Sequence, residues 1–249
     1  MARVRITGTV PPSSAVIVGA WDPVLPPVEK RVRLLAKRCR RTTGIELVPI
    51  LLDPSPASIL NPGWHPRFEC AESRVARLLE CGVPAVIRVA LSKKDLEQGI
   101  RFFLDLLAAH TEVKAIFLAR NQSLGGPTKG DPKTIASTCR QAGIDILESG
   151  ISSYKYKREA YRLYRRNAFH AIGNLIGRPL CWTGRRDQLS LPLKPGRYMV
   201  RVAATQDGLL SRNCSKTLLD VNMQGQGTLQ TSPASTVWIA PTRYLRLSI

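Results

Sequence analysis

Acidic residues and histidines are scarce in this sequence. Its 249 residues include 18 Asp and Glu against 37 Lys and Arg, for a formal net charge of +19, and only three histidines. Charge of this size says little about the fold, but it favours a polyanionic partner such as nucleic acid. Arginine dominates the basic runs, and its planar guanidinium suits bidentate contacts to phosphate.

The sequence also lacks the residue spacing of a metal site and the apolar length of a membrane span. Because no cysteine stands at ligand spacing to another cysteine or to a histidine, we expect no structural metal and mostly buried, reduced thiols. No apolar run approaches the roughly 20 residues of a membrane-spanning helix, which predicts a protein without membrane association. The cysteines are Cys39, Cys70, Cys81, Cys139, Cys181 and Cys214.

Residues 2–20 do not have the charged-then-apolar order of a secretion signal. We therefore expect the protein in the cytoplasm or in an organelle matrix. The N-terminus is basic and free of acidic residues as far as Trp21, which leaves an organelle transit peptide open. However, Val4, Ile6 and Val10 are more typical of a strand than of an amphipathic targeting helix.

The three histidines do not form a recognisable catalytic group. His65 lies in a proline-rich loop, His110 at the end of a predicted helix and His170 in a basic helical stretch. None has a base or a nucleophile at a recognisable spacing, so we interpret all three as surface or packing residues.

Apolar runs and amphipathic stretches alternate along the first 150 or so residues, counted from the pattern. Strands are predicted at 16–19, 45–52, 85–89, 113–118 and 144–147. Helices are predicted at 28–41, 71–81, 96–109 and 132–143, with a long proline-broken loop after the second strand. This alternation predicts a Rossmann-like α/β fold, with a parallel sheet and helices on both faces.

The pattern changes after a basic helical stretch at 155–176. Short strands separated by Pro, Gly and Ser are predicted at 189–193, 197–203, 216–221 and 237–247. We therefore predict an α/β domain over residues 1–180 and a small β domain over residues 181–249. The second is small for an independent core, so we expect it to pack on the first.

Several short motifs occur in a particular order. Gly19-Ala20-Trp21-Asp22 follows the first predicted strand, and Asp53-Pro54-Ser55-Pro56 follows the second. The loop 119–131, ARNQSLGGPTKGD, contains Gly125, Gly130 and Asp131. Later stretches are REA at 158–160, LIGRP at 175–179 and LKPGRYMVRV at 193–202.

In this order the motifs resemble the bacterial FAD synthetases, in which an FMN adenylyltransferase domain precedes a riboflavin-kinase barrel. The resemblance covers about residues 14–205. It implies a nucleotidyltransferase-like α/β domain followed by the remnant of a riboflavin-kinase-like barrel. It also implies vestigial nucleotide-binding positions at Gly19, Asp22, Asp53, Gly125, Gly130 and Asp131.

The residues that would perform the family's chemistry are missing. The adenylyltransfer motif H-x-G-H falls on Leu25-Pro26-Pro27-Val28, and the histidine of D-P-H-P is Ser55. Leu25 and Val28 have no donor for ATP phosphates, and the two prolines have no backbone N–H. The core of the flavin-side loop has become RNQSL at 120–124, and the kinase motif G-x-P-T-A-N is absent. We therefore predict that both activities are lost and that no catalytic residue remains.

Two basic regions are candidate nucleic-acid-binding surfaces. Tyrosine alternates with cations in the second, and this combination suits phosphate contact together with base stacking. A solvated helix face with inward-packed tyrosines is the alternative interpretation. The first region holds Lys30, Arg31, Arg33, Lys37, Arg38, Arg40 and Arg41, and the second Tyr154, Lys155, Tyr156, Lys157, Arg158, Arg162, Arg165 and Arg166.

Together these features predict a catalytically inactive FAD-synthetase-like protein without cofactor or metal. It would act as a basic nucleic-acid-binding or scaffold subunit of a larger nucleoprotein or ribonucleoprotein assembly, with RNA, DNA or protein subunits as partners. Two alternatives stay open. One is a divergent FMN adenylyltransferase that makes FAD from FMN and ATP with Mg, and the other is a module that senses FMN, FAD or a nucleotide without chemistry.

Overall fold

Two separate β-sheets organise the chain in the computed structural model. The structure describes residues 2–60, 68–119, 131–151, 154–166, 168–176, 182–185, 189–190, 196–206, 209–221, 226–229 and 236–245. One compact unit comprises Met1–His65 and Arg74–Ser153, and the other Pro66–Ser73 and Tyr154–Ile249.

The sheet of the first unit has six strands, in the order β1-β4-β3-β2-β5-β6. Strands β2 to β6 are mutually parallel, and β1 pairs with β4 in the antiparallel direction, with Arg3 opposite Ala90 and Gly8 opposite Ala85. The predicted α/β fold is confirmed, and the sheet is mostly parallel with one antiparallel edge strand. The strands are β1 Arg3–Gly8, β2 Ser13–Gly19, β3 Glu46–Leu52, β4 Ala85–Ala90, β5 Glu112–Leu118 and β6 Asp145–Glu148.

Helices connect these strands, and two of them differ from expectation. A short helix lies in the predicted loop after β3, and the helix predicted at 96–109 is divided in two. Gly99, at φ +78°, adopts a left-handed conformation that a continuous helix does not contain. The helices are α1 Pro26–Thr43, α2 Pro56–Leu60, α3 Ala71–Leu79, α4 Lys93–Glu97, α5 Gly99–Ala108 and α6 Pro132–Gln141.

Alternate residues of the strands form a core with α5 and α6. Val16 and Val18 of β2 belong to the same buried cluster as Phe103 of α5 and Ile135 of α6, as the two-residue period of a strand requires. The buried residues of α1 lie outside that cluster, and α1 contacts β3. Helices therefore cover both faces of the sheet.

In the described part of the chain after residue 153, the second unit contains two helices and an antiparallel six-stranded sheet of order β7-β12-β9-β10-β11-β8. The short strands β7 and β11 were not predicted. Tyr198, Val200 and Leu219 are buried in this sheet. The elements are α7 Tyr154–Arg165, α8 Phe169–Ile176, β7 Trp182–Arg185, β8 Leu189–Ser190, β9 Gly196–Gln206, β10 Leu209–Val221, β11 Gln226–Leu229 and β12 Thr236–Leu245.

The division between the units differs from the predicted boundary at residue 180. The structure groups 154–176 with the C-terminal strands, because α7 contacts α8 and α8 contacts β12. The basic stretch predicted as one helix at 155–176 is two helices, α7 and α8. Among the described residues, no helix combines the length and the apolar character that crossing a bilayer requires.

Candidate functional site

The turn after β2 is occupied by its own tryptophan. Trp21 has a φ of +38° and is 6% exposed. Its indole lies so close to Gly19 that a Cβ at position 19 would stand 2.8 Å from Cζ2 and closer still to Cε2 and Nε1. The space directly above Gly19 is therefore filled by a side chain of the same turn.

The first turn of α1 has no backbone donor to offer an anion. Pro26 and Pro27 begin the helix without N–H groups, and Val28 and Glu29 donate theirs to the carbonyl of Leu25 at 2.8 and 3.1 Å. Leu25 and Val28 are buried, at 0% and 1% exposure. Helix N-termini bind phosphate through free N–H groups and a positive end. The residues from Leu25 to Glu29 therefore do not fit a nucleotide phosphate.

Asp53, at the end of β3, is held by two arginines. Arg74 of α3 donates Nη2 to Oδ1 at 2.5 Å, and Arg88 of β4 donates Nη2 to Oδ2 at 2.6 Å. Arg74 also donates Nη1 to the carbonyl of Ala20 at 2.7 Å. Gly19 and Asp53 are two of the predicted vestigial positions. Arg74 links the regions around them, because it binds both the carbonyl of Ala20, next to Gly19, and the carboxylate of Asp53. Asp22, in the same turn, is half-buried.

Sequence analysis missed both arginines of this cluster. Arg88 gave one signal, because it interrupts the apolar strand Ala-Val-Ile-Arg-Val-Ala. Arg74 gave none, since its partners are 21 and 54 residues away. Arg77, one turn further along α3, forms a second ion pair, with Nε 2.6 Å from Oε1 of Glu29.

Asp131 caps α6. Its Oδ1 accepts the N–H groups of Lys133 and Thr134 at 2.9 and 3.2 Å, and its Oδ2 accepts the hydroxyl of Thr134. The Thr134 hydroxyl, followed by these N–H groups, holds the pKa of Asp131 below its ordinary value. Gly125 and Gly130, predicted with it, lie outside the described residues.

A small open pocket, with a volume of only about 20 Å³, lies beside the carboxyl ends of β3 and β4. Its lining is mostly apolar, with Leu52, Leu96 and Phe103 among its residues, and Asp95 is the charged residue among the described ones that line it. Oδ2 of Asp95 accepts the N–H and the hydroxyl of Ser92 at 2.9 and 2.7 Å. The pocket therefore has little to hold a phosphate.

Five cations of the first basic region share the exposed face of α1. They recur at the three- and four-residue spacing of a single helix face, and all are exposed. Leu34, which is 49% exposed, lies among them. We call this surface the basic stripe; it consists of Lys30, Arg33, Leu34, Lys37, Arg38 and Arg41.

The cations of the basic stripe are little used by the fold. Within the described part of the chain, Lys30, Lys37, Arg38 and Arg41 make no hydrogen bond or ion pair. Arg33 approaches Glu29 only loosely, with Nη2 3.7 Å from Oε2.

The other two basic residues of α1 are committed to contacts within the unit. Arg31 is half-buried and donates Nε to the carbonyl of Ser149 at 2.6 Å. Arg40 donates Nε to Oε2 of Glu46 at 2.7 Å and Nη2 to the carbonyl of Gly82. These two positions of the predicted surface therefore stabilise the fold.

The second basic region is described only in part. Arg158 and Arg166 are exposed, and Arg162 pairs with Glu159, with Nη2 2.6 Å from Oε1, which lowers the pKa of Glu159. The ring of Tyr161 packs edge-on against Phe68, at a centroid separation of 5.4 Å. The side chains of Tyr154, Lys155, Tyr156, Lys157 and Arg165 lie outside the described part of the structure.

The described cysteines and His110 do not form a reactive site with one another. Cys39, Cys70, Cys81 and Cys139 are free and buried, as expected, and burial raises the pKa of Cys81 to about 11. His110 is exposed at the end of α5, and its backbone N–H donates to the carbonyl of Leu107. Among the described residues, no group of three His, Cys, Asp or Glu side chains could hold a metal ion.

Solved structures resemble the chain, and one of them aligns over most of its length. The crystal structure of a macrolide-efflux protein from Streptococcus pneumoniae aligns with a TM-score of 0.58 at 17% identity, covering 95% of this chain and 86% of that one. At this identity the similarity shows the fold alone. No protein-family model and no curated protein matches the chain, so the resemblance to FAD synthetases stays a prediction.

Proposed function

We propose that this protein binds nucleic acid through the basic stripe of α1 and has no nucleotidyltransferase activity. The observation that supports the binding is the set of five exposed cations on one face of α1, four of them without a partner among the described residues. Cations that the fold does not use are available to phosphates, and the counterions they displace from nucleic acid drive association.

The proposal of inactivity is supported by the turn between β2 and α1. Trp21 fills the space above Gly19, Pro26 and Pro27 remove two donors, and Leu25 and Val28 are apolar and buried. A protein with this surface and without chemistry suits a subunit of a larger assembly. The assembly is tested by purification from native cells at low salt, where RNA, DNA or a fixed set of proteins should accompany the chain and be released as salt rises.

The binding experiment compares two matched triple variants by fluorescence anisotropy with labelled RNA and DNA. Lys37→Gln, Arg38→Gln and Arg41→Gln remove three charges from the basic stripe. Arg101→Gln, Lys133→Gln and Arg140→Gln remove three exposed charges from α5 and α6. We expect the stripe variant to bind at least tenfold more weakly than the native chain. The slope of the logarithm of its binding constant against the logarithm of the salt concentration, called the salt slope below, should fall in magnitude by about three units, one for each lost phosphate contact. The control variant should change little in both quantities. Equal losses in the two variants would refute the role of the stripe.

The alternative, a divergent FMN adenylyltransferase, is tested directly. The purified chain is incubated with ATP, Mg²⁺ and FMN, and the formation of FAD and pyrophosphate is followed by chromatography. We expect no turnover, because the first turn of α1 has no donor for the ATP phosphates. Formation of several molecules of FAD per protein molecule, with an equal amount of pyrophosphate, would refute the proposed inactivity.

A further inference from the structure

We infer that the ligand of the basic stripe is double-helical nucleic acid, held by its phosphate backbone without reading of the bases. This inference rests on the proposed function and names the class of nucleic acid. Three features of α1 favour a duplex: the arrangement of its cations, its lack of aromatic residues, and the burial of one side of the helix against the unit.

The cations of the stripe are arranged for two rows of phosphates. At 3.6 residues per turn, Arg33 and Arg38 lie about 140° apart around the helix axis, at opposite margins of the stripe. Lys30, Lys37 and Arg41 lie between them, along about 16 Å of the axis at a rise of 1.5 Å per residue. A cationic helix face with charged margins can contact both strands that border a groove, whereas a single strand offers only one row of phosphates.

The stripe has no aromatic side chain on which single-stranded bases would stack. Proteins that bind single strands combine cations with aromatic side chains on which the bases stack. The sequence of α1, PPVEKRVRLLAKRCRRTT, contains no aromatic residue. α1 contains no Asn or Gln, the side chains that read adenine edges, and Leu34 has no hydrogen-bonding group. Arg and Lys can also bind guanine edges, but we assign the cations of the stripe to the phosphates.

The way in which α1 packs on its unit also favours contact with the phosphate backbone of the nucleic acid. Val28, Val32, Leu35, Ala36 and Cys39 are buried, so one side of the helix is fixed to the unit and the opposite side faces solvent. Such a helix is a ridge on the surface. A ridge of cations suits the regularly spaced phosphates of a duplex, while single strands are followed by positively charged grooves.

The second basic region does not supply the missing stacking groups within the part that is described. Tyr161 is half-buried and packs on Phe68, so its ring is engaged inside the second unit. Arg162 is engaged by both carboxylate oxygens of Glu159. The described contacts therefore favour the α1 stripe as the surface that meets the ligand.

The experiment measures affinity for duplex and single-stranded probes in parallel. The probes are RNA and DNA duplexes two helical turns long and the corresponding oligo(U) and oligo(dT) single strands, which form no hairpins. Anisotropy titrations from about 50 to about 200 mM salt give the affinity and its salt dependence. The whole chain is used, together with the stripe triple variant and the α5–α6 triple variant described above.

We expect at least one duplex to bind at least tenfold more tightly than its single strand, with little difference between duplexes of unrelated sequence. Contacts from all five cations would give a salt slope of about −4.5 on duplex DNA. Equal or tighter binding of the single strands that is lost in the stripe variant would overturn the duplex inference and leave the proposed function standing. A strong preference for one duplex sequence would overturn the absence of base reading. No binding to any probe at the lowest salt would overturn both proposals.

Discussion

Arg74 Nη2 lies 2.5 Å from Asp53 Oδ1, and the two side chains are 2% and 4% exposed. Charges this deeply buried lose their hydration, so each depends on the other for compensation. Arg88 occupies the second oxygen of the same carboxylate. The pair therefore lies at the point where the ends of two strands, a helix and the turn after β2 meet.

Asp53→Ala should lower the free energy of unfolding by about 3–5 kcal/mol, because it leaves two arginines beside an empty buried position. Chemical denaturation followed by circular dichroism measures this loss. Asp105→Ala is the matched control, since it removes an exposed carboxylate from α5 and should change stability by less than about 0.5 kcal/mol. Equal effects of the two substitutions would contradict the importance of the cluster.

Gly19→Ala should destabilise the first unit by about 1–3 kcal/mol, because the new methyl group overlaps the indole of Trp21. The loss is measured by thermal denaturation. In a protein that already carries Trp21→Leu, Gly19→Ala should lower the stability much less than it does in the native chain, because the overlapping ring is gone. Additive effects in this double-mutant cycle would show that the ring does not occupy the space above Gly19.

Ser92→Ala should cost about 1 kcal/mol, because Ser92 and Asp95 form the capping box that begins α4. Ser92→Thr keeps the hydroxyl and should cost less. Burial raises the pKa of Asp95, but the hydrogen bonds from Ser92 outweigh it, so the folded pKa lies below the ordinary value. The stabilisation by Asp95 is therefore complete above the ordinary aspartate pKa and is lost as pH falls through the lowered one.

The pH dependence is checked by urea denaturation of the native chain and of Asp95→Ala between neutral pH and strongly acidic pH. The difference in stability should be largest at neutral pH and should shrink only at pH values below the ordinary aspartate pKa. A difference that vanishes already above that value would contradict the lowered pKa.

The buried thiols should not react in the folded protein. At pH 8 almost none of Cys81 is thiolate, because burial raises its pKa to about 11, and only the thiolate is nucleophilic. In the Cys181→Ser/Cys214→Ser variant, Ellman's reagent should find no reactive thiol until denaturant is added, and then Cys39, Cys70, Cys81 and Cys139 should react. Rapid labelling without denaturant would show that one of these sites is open.

Arg40→Gln and Arg41→Gln should separate stability from binding. Arg40 is tied to Glu46 and Gly82, so its loss should lower stability by up to about 1 kcal/mol and leave nucleic-acid affinity nearly unchanged. Arg41 belongs to the basic stripe, so its loss should leave stability unchanged and lower the salt slope of binding by about one unit. If Arg40→Gln weakened binding and Arg41→Gln lowered stability, the assignment of Arg40 to the fold and of Arg41 to the basic stripe would be wrong.

The sequence predicted most of the first unit because its elements carry local signals. Four of the five parallel strands are mainly apolar runs, and α1 has buried residues at helical spacing. The division of the helix at 96–109 was also encoded locally, by Ser92 and Asp95 at capping-box spacing and by Gly99, although it was not recognised. Local patterns therefore suffice for elements and their ends.

The interior of the candidate site was not predictable in the same way. Nothing local connects Arg74 to Ala20 or Arg31 to Ser149, since these pairs are 54 and 118 residues apart. For the same reason, the basic run of α1 could not be divided into residues that the fold uses and residues that it leaves exposed. That division depends on which carbonyls and carboxylates the sheet brings next to the helix.

The beginning of α1 limits how this protein can change. Leu25→His and Val28→His would put imidazoles in positions that are 0% and 1% exposed, where a charged ring is costly. Neither substitution would restore the N–H groups that Pro26 and Pro27 lack or remove the indole of Trp21. A nucleotide-binding turn could therefore be created only by several simultaneous replacements between Trp21 and Val28, and single mutations along that path would bring no gain.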